Sequence, residues 1–230
     1  MSELLKFLED KVQIAALLFL AVVYLIRLVW LFRFKASPEK TWAIGNVNRA
    51  ILQSIAGIVL PKRMESARRR PGFYVQFVIF HLGVTAAIAA TFIIPYRPNL
   101  FRIRPVVLVF QVVIGGALGV AILRLIRRLR TPALRIVSTP DDYASIILMI
   151  LFFAAGILAV PNHFEKSEWP LGIFFGLTAL LLVYVPFSKI GHYLYYPISR
   201  FYLGRMMGHR GVFPYRKAAI PSAPPQDKLQ

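Results

Sequence analysis

Cysteine is absent from the 230-residue sequence, so the chain can form no disulfide, thiolate metal site, iron–sulfur cluster or catalytic thiol of its own. Carboxylates are scarce: ten Asp and Glu stand against twenty-eight Lys and Arg, for a formal net charge of +18. No Walker loop, GxSxG or HExxH pattern occurs, which leaves nucleotide and hydrolytic chemistry without support. What the chain has in abundance is apolar sequence, 57% of residues, with a mean hydropathy of +0.61. In a soluble protein the basic excess would point to nucleic acid. Here most cations lie between long apolar runs, where they read as membrane topology, and no nucleic-acid partner is expected.

A hydrocarbon core about 30 Å thick needs roughly 20 apolar residues in helix. Five segments meet or approach this length: 12–32, 73–95, 106–125, 144–160 and 171–196, the last interrupted by Pro186. Lipid offers no partner to a free backbone group, so all five are expected as helices. The fold class is therefore an all-α, integral membrane five-helix bundle. The leading stretch before the first span mixes two Lys with Glu3, Glu9 and Asp10, and no small-residue cleavage site follows, unlike a cleaved signal peptide. Segments 33–72, 124–143 and 188–230 together carry twenty-one Lys and Arg, against six on the other side of the spans. The positive-inside rule then puts the N-terminus outside and the C-terminus in the cytoplasm. Residues 1–200 read as the membrane domain, and 201–230 as a basic, then proline-rich cytoplasmic tail. Within the first loop, the apolar spacing of Ile44, Val47, Ile51, Ile55 and Ile58 indicates an amphipathic helix near 42–60. It either lies on the inner membrane surface or packs on the bundle or a partner.

No carboxylate lies deep in a span. Asp141 and Asp142 follow Thr139-Pro140 at the start of the fourth, where helix capping is the favoured role over proton handling. This distribution disfavours a proton-coupled transporter. Histidine is more informative. His81, in FVIFHLGV, lies inside the second span, and His192, in PFSKIGHYLYYP, near the inner end of the fifth. Because the two spans run in opposite directions, both histidines fall in the same leaflet. Two imidazoles from two helices with an apolar wall are what a six-coordinate b-type haem requires. The same pattern also suits His81 bonding a neighbouring helix and His192 at the interface. On the haem reading, Gly83, Ala86, Ala87 and Gly191 admit the macrocycle, while Arg27, Lys189 and Arg200 are cations for its propionates. His163, in an outer loop, is either solvated or part of an outer quinone site. His209, in the tail, faces solvent or a partner.

Three stretches carry a family resemblance: FVIFHLGV; the run from GGALGVAILRLIRRLR through LRIVSTPDDYASIILMILFFAAGIL; and VPFSKIGHYLYYP. Together they resemble the gamma subunit of respiratory nitrate reductase and its relatives in sulfate-reducer transmembrane redox complexes. The resemblance spans about residues 73–197. It implies a haem b-containing subunit in a bacterial or archaeal cytoplasmic membrane. Such a subunit exchanges electrons between membrane menaquinone or ubiquinone and a cytoplasmic iron–sulfur subunit attached to further redox subunits. His81 and His192 match the axial ligands of the inner haem. Positions matching the second, outer pair hold Thr91 and Phe174, neither a haem ligand, so one haem is expected. The alternative function is a haem-free anchor for a cytoplasmic redox complex. The basic runs Arg68-Arg69-Arg70 and Arg127-Arg128 suit an acidic docking surface as well as topology.

The lack of native cysteine makes the orientation directly testable. In intact cells, a membrane-impermeant maleimide should label Lys166→Cys and leave Ser138→Cys unlabelled until the cells are opened. The reverse pattern would invert the topology.

Overall fold

The computed structural model describes residues 2–34, 40–60 and 69–213, and among these every regular element is helical. The elements are α1 (Glu3–Arg33), α2 (Val47–Val59), α3 (Pro71–Tyr96), α4 (Arg104–Arg130), the short α5 (Pro132–Val137), α6 (Pro140–Ala159), α7 (Trp169–Tyr184) and α8 (His192–His209). Five helical stretches are long and apolar enough to cross a membrane: α1, α3, α4, α6, and Trp169–Phe187, which is α7 with its 3-10 extension. The expected number of spans is therefore found. The chain divides into two units, one of residues 1–34 and 69–192, the other of residues 35–68 and 193–230.

The first unit packs in the order α3–α4–α6–α7–α1, with α3 also touching α6. Short connections make successive helices antiparallel from α3 to α7. α1 runs parallel to α7: Ser2 donates to Glu168 at 2.6 Å near their starts, and Phe19 and Phe187 meet further along at 6.2 Å. Hydrogen bonds from Ser2 hold the Glu168 carboxyl below the usual range. Of α1 only Leu5, Glu9, Gln13 and Ala16 are buried, so it lines the edge of the unit. A π-helical turn at Phe7–Val12 widens its start. The amide of the buried Gln13 donates across to the Phe175 carbonyl at 2.8 Å, a polar contact that hydrocarbon makes worth keeping.

Lipid tails are as apolar as leucine, so packing rather than a hydrophobic gradient must hold these helices together. The centre is an aromatic stack: Phe174 lies parallel to Phe152 at 5.3 Å, and Phe153 meets Phe80 edge-on at 5.5 Å. Around it, Ala87, Ala90, Ala117 and Ala121 bring α3 and α4 together. Gly83 sits so close to the Ala117 side chain and to the Val113 carbonyl that no side chain fits there.

The fifth apolar run departs from expectation. Rather than one helix over 171–196, α7 gives way to two 3-10 turns, Val185–Phe187 and Lys189–Gly191, before α8 begins at His192. Pro186 has no N–H to continue an α-ladder, and Ser188 re-caps the chain, its hydroxyl accepting from the Ile190 N–H at 3.2 Å.

The second unit pairs α2 with the part of α8 from Tyr193 onward. α2 is shorter than the 42–60 segment expected. Residues 42–46 are not helical, and the Asn46 side chain caps the helix by accepting from the Arg49 N–H at 2.9 Å. Ala50 and Ser54 are buried, whereas Ile44 is 83% exposed and Ile55 40%. Ser54 donates to the Arg200 carbonyl at 2.7 Å, and the Arg200 guanidinium returns a bond to the Ser54 carbonyl at 3.0 Å. Small residues four apart let the backbones approach. A Cβ at Gly204 would stand 2.7 Å from the Ile51 Cα and 3.0 Å from the Ala50 carbonyl. The proline-rich end of the tail lies outside the described residues.

Gly204→Val should therefore destabilise the second unit by about 1–3 kcal/mol, the cost of overpacking a tight contact. Limited proteolysis of detergent-solubilised protein should cut the 193–213 region faster, with helix content of the rest unchanged.

Candidate functional site

His81 lies ten residues into α3, half-buried, between Phe77 and Phe80. Its Nδ1 is 2.7 Å from the Phe77 carbonyl one turn back. A carbonyl only accepts, so Nδ1 carries the proton and Nε2 the lone pair. His192 opens α8 with its ring exposed, and its Nδ1 lies 3.0 Å from the Lys189 carbonyl, which fixes the same tautomer. Neither Nε2 has a hydrogen-bond partner among the described residues. The two rings, 111 positions apart in the chain, come together with centres 6.3 Å apart and planes at 85°.

Those two nitrogens are too few for a bare metal ion, and among the described residues no group of three or more His, Asp or Glu could supply the rest. They are enough for a haem, whose macrocycle provides the other four donors. Bonding of each Nδ1–H to a carbonyl is also the outer-shell arrangement that orients a metal-bound imidazole. The residues present therefore fit a bis-histidine haem.

The surroundings correct several details of the sequence reading. Gly83 and Ala87 are used in packing: Gly83 faces Ala117, and Ala87 is fully buried in the core. Gly191 closes the chain onto its own break, where a Cβ would meet the Val185 carbonyl at 3.0 Å and the Tyr24 hydroxyl at 3.6 Å. Of the cations considered, Lys189 is held by Asp142 at 2.6 Å, and Arg200 belongs to the second unit, bonded to Ser54. Arg27 stacks over Phe187 at 5.3 Å. The cation beside His81 is instead Arg124 of α4, over the Phe80 ring at 4.8 Å. Its place next to the histidine is invisible in sequence, where it counts only as one more basic residue after the third span.

Asp142 and Thr139 form the expected capping box at the start of α6. Asp141 does something else. It accepts from the Tyr184 hydroxyl in a very short bond and from the Lys189 backbone N–H at 2.9 Å. Tyr184 in turn meets the Ser145 hydroxyl at 3.2 Å.

The remaining singled-out positions lie elsewhere. Thr91 bonds its own helix at the Ile88 carbonyl, and Phe174 is completely buried in the aromatic stack. His163, at the other end of α6, lines an open cavity of about 990 Å³ together with Arg102, Arg104, Gln111, Glu165 and Lys166. His209 bonds the Thr41 carbonyl at 2.9 Å through Nε2, within the second unit. No family model matches the chain, and no curated protein matches it either.

Since each histidine bonds only a carbonyl three or four residues back, neither ties elements together through its ring. His81→Leu and His192→Leu should each change the stability of the cofactor-free chain by no more than about 0.5–1 kcal/mol. Unfolding in a mixed-micelle SDS titration checks this, and a larger loss would mark the pair as structural.

Proposed function

We propose that the chain is a haem b-carrying membrane subunit of a quinone-linked oxidoreductase. In this reading it passes electrons between membrane menaquinone or ubiquinone and an iron–sulfur partner on the cytoplasmic side. The observation that carries the proposal is the meeting of His81 and His192, both with Nδ1 tied to a backbone carbonyl and Nε2 without a hydrogen-bond partner among the described residues. The resemblance to nitrate reductase gamma subunits in the stretches around both histidines supports it independently.

His81 and His192 would hold the haem iron. When bound, the haem supplies one-electron chemistry inside the membrane. Phe77 and Phe80 give the His81 ring an apolar setting. Arg124 offers a positive charge beside the site, suited to a haem propionate. Where a second, outer centre would need a ligand, Phe174 fills the space against Phe152, which favours a single haem. A quinone serving that haem then belongs within electron-tunnelling reach of the His81–His192 end.

With the N-terminus outside, that end of the bundle faces the cytoplasm, together with Arg127 and Arg128. The next carrier has to be another polypeptide, because this chain has no cysteine for a cluster. An acidic face on an iron–sulfur subunit would complement these cations.

Purified protein should give a b-type reduced-minus-oxidised spectrum with about one haem per chain. His81→Ala and His192→Ala should each abolish it. A full signal in either variant would overturn the ligand assignment, two haems per chain would overturn the single-centre reading, and none in folded, assembled protein would favour the anchor.

A further inference from the structure

The chain between α7 and α8 leaves the helical ladder at a point where backbone groups need partners from elsewhere. Pro186 has no N–H to place. Ser188 serves the turn locally, donating to the Val185 carbonyl at 3.1 Å and accepting from Ile190. The Lys189 N–H is taken by Asp141, forty-eight residues earlier on α6. The carbonyl of that same Lys189 accepts from His192 Nδ1. Lys189 is also held by its side chain, whose Nζ donates to Asp142 at 2.6 Å and to the Thr139 hydroxyl at 3.1 Å. Three residues at the start of α6, its N-cap Thr139 with Asp141 and Asp142, thus grip one residue of the break. The start of α6 is itself rigid, because Thr139 and Asp142 close a capping box and Arg128 approaches Asp142 at 3.4 Å. Asp141 has a second anchor in the Tyr184 hydroxyl at the end of α7.

We infer that Asp141 is a positioning residue for His192: by holding the Lys189 backbone against α6 it presents the Lys189 carbonyl to His192 Nδ1–H, fixing the tautomer and direction of the imidazole. The haem-related part of this inference rests on the function proposed above; the positioning itself does not. Asp141 also brings a carboxylate to the neighbourhood of the ligand. A negative charge there stabilises the more positive, oxidised iron, so its removal raises the reduction potential.

Asp141→Leu removes both the acceptor and the charge, and Asp141→Asn keeps an acceptor oxygen while removing the charge. Asp142→Asn is the control, weakening the Lys189 side-chain pair but leaving the Lys189 N–H bond to Asp141. With ¹⁵N-histidine-labelled, haem-free chain in detergent, neutral His192 should be the Nδ1–H tautomer in wild type and Asp142→Asn. Asp141→Leu should show a mixture of the two tautomers. With haem present, Asp141→Leu should bind it about 10- to 100-fold more weakly, the usual effect of losing an outer-shell partner. Asp141→Asn should retain it with an upward shift in midpoint potential and an altered low-spin EPR signal. A single Nδ1–H tautomer in Asp141→Leu overturns the inference whatever the haem result. If that variant does not fold, Asp141→Ala replaces it in the same tautomer measurement, and a single Nδ1–H tautomer there overturns the inference. A wild-type chain that binds no haem while the tautomer depends on Asp141 defeats the proposed function and leaves the positioning role standing.

Discussion

Inside a membrane every backbone group that leaves a helix must find a partner within the protein. In the first unit the chain leaves the helical ladder at residues 185–191, at the end of the last apolar stretch, where α7 stops and two 3-10 turns precede α8. The donors and acceptors released there are met by Ser188 from within and by Asp141 from α6. Because the break is fixed to the start of α6, His192 has a defined place opposite His81.

The same economy explains where the small residues lie. Without a hydrophobic gradient between protein and lipid, helices associate by close approach and a few polar contacts. Gly83 against Ala117 draws α3 onto α4, and Gly204 against Ile51 draws α8 onto α2. Gln13 on Phe175 and Gln111 on the Ile157 carbonyl add polar ties. Large apolar side chains on the outer surfaces, Leu25 and Leu158 among them, remain exposed at 61% and 65%, as lipid contact requires.

Much of the architecture was legible because hydropathy and helix length are local properties. The five spans and the helical class follow directly, and the alternation of spans was enough to put His81 and His192 in one leaflet. The break in the last run was signalled by Pro186 and Ser188, but the continuing apolar character through Tyr196 outweighed them. Asp141 was read with Asp142 as a cap. Its actual partner is a backbone N–H on another helix, which no periodicity encodes. Gly83 and Gly191 were assigned to a ligand because they neighbour histidines in sequence. In space their missing side chains are needed by Ala117 and by the Val185 carbonyl. Arg124 lay forty-three positions from His81 and could be associated with it only through the contact of α3 with α4.

The second unit is assembled from two pieces of chain that are made far apart in time. Ser54 and Arg200, which exchange hydrogen bonds across α2 and α8, are 146 residues apart. At a synthesis rate of about 5–20 residues per second, α2 waits on the order of 7–30 s for its partner to be made. During that interval four further spans are produced, while the small-residue face of Ala50 and Ser54 is open to water, lipid or a chaperone. Completion of the second unit is thus a late event in biogenesis. A nascent chain interrupted just after His192 would contain both histidines and the Asp141 clamp while α2 still lacked the rest of α8.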